Sequence, residues 1–139
     1  MADFEFPIRI YWEDTDAGGI VFYANYLKFF ERARTEWLRA QGLGQHALRQ
    51  QVGGLFVVAE CSVKYLHAAR LDDELVVTAR LEEAGRASLA LSQQAFIKTP
   101  QGARGALLAQ GRIRIGWVDA ATLAPARIPT RILDRLNPP

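Results

Sequence analysis

Three carboxylates, Glu13, Asp14 and Asp16, stand just ahead of Gly18 and Gly19 in "EDTDAGGIVFYANY", residues 13–26, and an apolar run follows. That order admits three chemistries: a calcium loop, a phosphate cradle, or a carboxylate set beside the start of a helix. An EF-hand loop needs Asp at positions 1 and 3, Gly at 6 and a bidentate Glu at 12. A register begun at Asp14 meets Asp16, Gly19 and Val21, but puts Gly18 and Asn25 where charge is required. The segment leading in also reads as strand rather than helix. Phosphate cradles carry Gly-x-x-x-x-Gly-Lys-Ser/Thr or Gly-x-Gly-x-x-Gly, and neither pattern occurs.

The third chemistry fits the spacing. A strand ends in carboxylates, a glycine turn lets backbone approach a ligand, and a helix begins within a few residues. Free N–H groups at a helix start polarise a carbonyl and stabilise developing negative charge. A carboxylate such as Asp16 beside that end can attack the carbonyl or deprotonate water. A purely structural reading stands next to it, in which Asp14 and Asp16 cap the turn and the helix. Spacing alone leaves both open.

The elements that must position this stretch follow from periodicity. From Phe4 to Trp12 the side chains alternate, with Ile8 and Ile10 on one face and Arg9 and Tyr11 on the other. From about Tyr23 to Gln41 the period becomes helical. Tyr26, Phe30, Ala33, Trp37 and Ala40 share a face widened by Phe29, with Lys28, Arg32, Thr35 and Arg39 opposite. Gly42 and Gly44 supply the stop. One short helical turn fits "GQHALRQQVGG". Strand-like runs then fall at 56–66, 74–84, 88–98 and 106–119, and "PARIPTRILDRLNPP" offers a short terminal helix with Leu133 and Leu136 to dock. The order predicts an α+β fold: one long helix laid on a five-stranded antiparallel sheet. Such a sheet leaves an exposed edge, which pairing with a second copy would cover.

A chain of 139 residues fits one domain, 1–139, large enough to fold without metal or disulfide staples. The net charge is +2, with Arg and Lys scattered among Asp and Glu, so no nucleic-acid footprint emerges. Cys61 is the only cysteine, which excludes an intramolecular disulfide and a multi-cysteine zinc site. The start has no signal-peptide pattern, and no run approaches a membrane span, so the expected compartment is the cytoplasm.

Other candidates read as structure. Cys61 sits in an apolar strand and is expected to be buried. His46 and His67 lack metal-ligand spacing and are expected to lie away from the Asp16 loop, which disfavours a dehydratase built on a His–acid pair. Asp72, Asp73 and Glu74 suit a solvated turn, and Arg32 and Glu36 an i,i+4 pair on the helix. No Gly-x-Ser-x-Gly elbow is present.

"RIYWEDTDAGGIVFYANYLKFFERARTEWL" resembles the N-terminal signature of the 4-hydroxybenzoyl-CoA thioesterase family, which has the hotdog fold. The matched positions are Arg9-Ile10, Thr15-Asp16, Gly19, Val21 and Tyr26, then "ERARTE"; "ARLDDEL" and "RASL" extend the likeness. It is most similar to the YbgC-type acyl-CoA thioesterases associated with the Tol–Pal system. The resemblance implies that Asp16 is the catalytic aspartate, as nucleophile or general base, and that the backbone N–H of Tyr23 polarises the thioester carbonyl. Gly18 and Gly19 would let backbone approach the thioester, Tyr26 would line the substrate, and Arg86 and Ser88 would meet the coenzyme A phosphates or pantetheine. YbgC-type members commonly carry His where this chain has Tyr23; tyrosine is closer to the hydroxybenzoyl-CoA branch. The resemblance further implies no metal or redox cofactor, coenzyme A only as part of the substrate, and a dimer or tetramer. The alternative from another class is a non-catalytic acyl-CoA or acyl-carrier-protein binding module linked to envelope machinery.

Overall fold

The computed structural model describes residues 3–136; the final "NPP" of the expected terminal segment lies outside them. Five strands are present: β1 (Phe4–Arg9), β2 (Gly54–Tyr65), β3 (Glu74–Ala84), β4 (Ser88–Lys98) and β5 (Arg104–Asp119). Three α-helices join them: α1 (Asn25–Ala40), α2 (Gln45–Gln51) and α3 (Thr130–Leu136). The sheet is antiparallel throughout, in the order β1-β3-β4-β5-β2. β3 and β4 occupy the expected spans. β1 is shorter than its alternation suggested, because the chain turns into a 3-10 segment at Trp12–Asp14.

Alternation decides which face of the sheet takes the helix. Leu75, Val77 and Ala79 of β3, Leu89, Leu91 and Ala95 of β4, and Ile113, Ile115 and Trp117 of β5 are buried in one core. Arg112 and Arg114 point the other way and are exposed. α1 answers with Tyr26, Phe29, Phe30, Ala33, Trp37 and Leu38. Two positions differ from the helical pattern: Ala40 is exposed, and Arg34 is buried.

Arg34 is buried because a polar tie receives it. Gln93, 0% exposed, accepts from Arg34 Nη1 (3.0 Å) and donates to the Phe30 carbonyl (2.9 Å) and the Thr78 carbonyl (3.1 Å). The β3–β4 ladder lapses here, between Val77↔Ala95 and Arg80↔Ser92. The side chains of Gln93 and Thr78 replace the missing ladder bonds, Thr78 Oγ1 accepting from the Gln94 N–H at 3.0 Å. One amide therefore pins the middle of α1 to the middle of the sheet.

β2 is an edge strand. Its start is covered by Gln45, whose side-chain amide bonds both the N–H and the carbonyl of Phe56 (2.8 and 3.1 Å). Beyond Phe56 the run from Val57 to Ser62 is exposed. Cys61 belongs to it, which corrects the expectation of a buried thiol. Its register opposite buried Ile113 is on the helix side, but α1 packs mainly over β3 and β1, and a cavity lined by Leu27, Arg34, Val58 and Cys61 separates it from this part of β2. The Arg32–Glu36 pair does not form either. Glu36 accepts from Arg39 instead, and the Arg32 guanidinium lies 5.9 Å from the Phe29 ring centre. Among the described residues no helix is long and apolar enough to cross a membrane.

Candidate active site

After β1 the chain crosses the end of the sheet and makes a small hairpin. Thr15 bridges Val21, and Ile20 bridges Arg70. At the tip the Gly19 N–H donates to the Asp16 carbonyl (3.0 Å) and the Asp16 N–H to the Ile20 carbonyl (2.9 Å). Gly19 sits at φ +80°, a left-handed conformation that glycine adopts without strain. Asp16 Oδ1 accepts from the Gly18 N–H at 2.8 Å. The turn is tight around this carboxylate: a Cβ on Gly18 would lie 3.2 Å from Asp16 Oδ1. One carboxylate oxygen thus holds the turn, and Oδ2 has no bond within the described chain. The structural and chemical readings of Asp16 are compatible, one per oxygen.

Asp14 is different. It is buried, and its Oδ2 accepts from the Tyr11 N–H at 2.8 Å. It closes the 3-10 turn and does not cap α1. Nor does any other side chain, since the residue before α1 is Ala24. The Phe22 N–H donates to the Asp14 carbonyl (3.0 Å) and the Asn25 N–H to the Phe22 carbonyl (2.9 Å). Among the described residues nothing accepts from the N–H groups of Tyr23 or Ala24. Two consecutive amides at a helix start are left as free donors, which suits an oxyanion.

Beside them is a cavity of about 270 Å³ lined by Ile20, Val21, Tyr23, Tyr26, Tyr65, Leu66, His67 and Ala68. The Tyr23 ring, 61% exposed, meets Tyr65 edge-on at 5.7 Å, and Tyr26 meets Tyr65 at the same distance. Burial pushes the Tyr65 hydroxyl up from its ordinary pKa, with the nearby Cys61 and Tyr23 adding to it. Burial likewise raises Tyr26, although its proximity to the Ala69 backbone pulls the other way. That proximity does not complete a hydrogen bond, and Tyr26 Oη is buried without a partner.

His67 corrects an expectation. It lines this cavity beside Ile20 and Tyr23 and so lies next to the Asp16 loop. The β2 exit brings it there, its N–H donating to the Leu108 carbonyl at 3.1 Å. Arg86 and Ser88 are not brought to the site within one chain. They flank the β3–β4 turn, closed by the Gly85 N–H to Ser88 carbonyl bond (2.8 Å), whereas Arg9 pairs with Glu74 at the other end of β3. Ten residue steps along β3 (Glu74–Ala84) separate the two levels, roughly 33 Å along the strand. Among the described residues no group of three His, Cys, Asp or Glu can hold a metal ion.

Residues 10–136 match the thioesterase-like superfamily. The chain belongs to that superfamily. Within it, the acyl-CoA thioesterase YbgC of Haemophilus influenzae is 37% identical over 129 residues, which cover 93% of this chain and 90% of that protein. A probable thioesterase from Bartonella henselae superposes with a TM-score of 0.82 at 29% identity, over 92% of this chain and 100% of the other. The 4-hydroxybenzoyl-CoA thioesterase of Pseudomonas sp. strain CBS-3 superposes at 0.85 with 21% identity, over 94% and 96% of the two chains, and bears on the fold alone. The architecture is the hotdog fold, as expected, with short helices α2 and α3 added to the long one.

Sequence reasoning missed Asn25, Tyr65 and His67 as neighbours of the loop. "KYLH" closes an alternating strand, but its arrival at Asp16 depends on β2 lying at the sheet edge. Asn25 carried a signal: a polar amide at the first buried position of an apolar helix face.

Proposed function

We propose that this member of the thioesterase-like superfamily hydrolyses acyl-CoA thioesters to a free acid and coenzyme A. The observation that carries the mechanism is a hairpin that holds Asp16, with one oxygen unbonded among the described residues, just ahead of two unbonded helix-start amides, the first of which belongs to a residue lining a cavity. The thioester carbonyl oxygen sits against the Tyr23 N–H, which stabilises its negative charge as the carbon becomes tetrahedral. Asp16 either takes the proton from an attacking water or attacks itself to form an anhydride that water opens. In the first route collapse of the tetrahedral adduct breaks the C–S bond, and in the second that bond breaks as the anhydride forms, before water opens it; in both the thiolate leaves and takes up a proton as coenzyme A. Gly18 and Gly19 keep the loop low enough for the thioester, and Tyr26 with Tyr65 forms the wall. No metal or redox cofactor takes part.

A second copy completes the site. The uncovered edge of β2 supports antiparallel pairing with another β2 into a dimer, itself able to pair into a tetramer. The distance of Arg86 and Ser88 from Asp16 in one chain supports their delivery to coenzyme A from that second copy, where the guanidinium suits a phosphate. One domain, 1–139, carries the activity, in the cytoplasm; the likeness to YbgC proteins supports work beside the Tol–Pal system.

The test is thiol release from a panel of acyl-CoAs, short, long and benzoyl, with native protein and Asp16→Asn. Turnover falling about 100-fold or more in the variant is the expected result. Unchanged turnover in Asp16→Asn would remove Asp16 from the mechanism. Coenzyme A binding without any release from the native protein would establish a binding module instead.

A further inference from the structure

We infer that Asn25 is a positioning residue, acting through the Asp14 carbonyl to fix which helix-start amide faces Asp16. The inference rests on the roles given above to Asp16 and the Tyr23 N–H, and adds what holds them in register.

Asn25 is the first residue of α1 and only 9% exposed. Asparagine near a helix start ordinarily uses its oxygen to cap the free amides. Here its other end is used: Nδ2 donates back to the Asp14 carbonyl at 2.9 Å. The same carbonyl accepts the Phe22 N–H at 3.0 Å, so both of its lone pairs are engaged. The two donors flank Tyr23 in the chain, Phe22 before it and Asn25 after it. Asp14 is itself fixed, buried and bonded twice to Tyr11, through its carboxylate (2.8 Å) and its N–H (3.0 Å). Asp16 lies two residues further on.

This clamp has two consequences. It consumes the Phe22 N–H, which makes Tyr23 the first free amide. It also joins the segment leading into Asp16 to the segment that presents the Tyr23 N–H. Without it the two would be joined by the hairpin's backbone bonds alone, Asp16 N–H to the Ile20 carbonyl and Phe22 N–H to the Asp14 carbonyl, both of which precede Tyr23 in the chain. Misplacement on the order of 1 Å in a reacting pair can cost about 100-fold in rate, so a hinge here would be felt in turnover.

Two variants test it. Asn25→Leu keeps the shape and removes the donor. Asn25→Asp keeps the shape and removes the donor only while ionised. A carboxyl buried beside a carbonyl oxygen is held above its usual range, and once protonated it donates again. For both, kcat in thiol release falls about tenfold near neutrality with KM within about twofold of native, since positioning acts on the reacting geometry. As pH is lowered, kcat of Asn25→Asp relative to native recovers, and that of Asn25→Leu does not. A kcat unchanged in both variants, a rise in KM alone, or a pH-independent loss that follows the melting temperature would each overturn the inference. If Asn25→Leu does not fold, the pH profile of Asn25→Asp decides alone. Full activity in Asp16→Asn would instead defeat the underlying mechanism, whatever Asn25 does.

Discussion

Replacing Tyr26 by Phe should stabilise the protein. Tyr26 is 3% exposed and its ring is held edge-on by Phe29 at 5.6 Å and Tyr65 at 5.7 Å, contacts that phenylalanine keeps. Its Oη is buried with no hydrogen-bond partner. A buried hydroxyl in that state costs about 1–3 kcal/mol relative to water. The Ala69 backbone lies near enough to recover part of this, so the expected gain is about 1 kcal/mol. With an unfolding entropy near 2.1 cal/mol/K per residue over 139 residues, that gain raises Tm by about 3 °C. The pH dependence runs in a definite direction. Burial holds the folded phenol protonated above its ordinary 10.0. The neutral form thus contributes stability at pH below 10, and that contribution is lost as pH climbs from there through the raised folded value. Tyr26→Phe should flatten this alkaline decline. Calorimetry between pH 7 and 11 measures both effects. A fall in Tm of 3 °C or more would refute the reasoning, because it would mean that the hydroxyl has a partner of real strength.

Three further outcomes follow from single contacts. Gln93→Met should destabilise by about 3 kcal/mol in urea unfolding, since it breaks three buried bonds and strands the Arg34 cation; a loss under about 1 kcal/mol would show that the tie between α1 and the sheet is dispensable. Cys61 should react with a thiol reagent at low protein concentration and become protected as concentration rises, because the exposed β2 edge that carries it is the surface proposed above to pair with a second copy. A rate independent of concentration would refute edge pairing. Glu74 is held below the usual carboxylate range, first by its bond to Lys98 and then by the charges of Lys98 and Arg9; its stabilising share is present above its ordinary 4.5 and disappears as pH falls through the lower folded value. Acid titration of Glu74→Gln should therefore show a shallower loss of stability below pH 4.5 than native protein, and an identical curve would sink that assignment.

Regular elements were legible wherever local pattern and tertiary burial agree. Strands at 74–84 and 88–98 were legible because Leu75, Val77 and Ala79 of β3 and Leu89, Leu91 and Ala95 of β4 recur on the face that joins the core, and the observed spans match. The edge strand misled for the same physical reason. Cys61 is apolar in company and on the helix-side register, but burial depends on what packs above it, and α1 leans toward β3 and β1. Arg32 and Glu36 have the right spacing, yet Arg39 takes the carboxylate and Arg32 finds the Phe29 ring. The glycine turn around Asp16 was legible, but that its two carboxylate oxygens differ, one engaged by the Gly18 N–H and one unbonded among the described residues, was not.

What the residue types could least reveal is that the proposed oxyanion donors are backbone groups left unbonded at the start of α1. The donors proposed for the oxyanion are amides that any side chain would supply, and they are free because the residue before α1 is alanine and the nearby carboxylate and amide side chains are engaged elsewhere. This makes the Tyr23 departure easier to place. The side chain at that position projects into the cavity against Tyr65, while its amide faces the helix start. Histidine there would alter the wall and leave the donor in place. Tyr23→His should therefore change the order of preferred acyl groups in the thioester panel more than the rate on the best of them. A collapse of turnover on every acyl-CoA in that variant would show that the phenol, and not the amide, carries the function of this position.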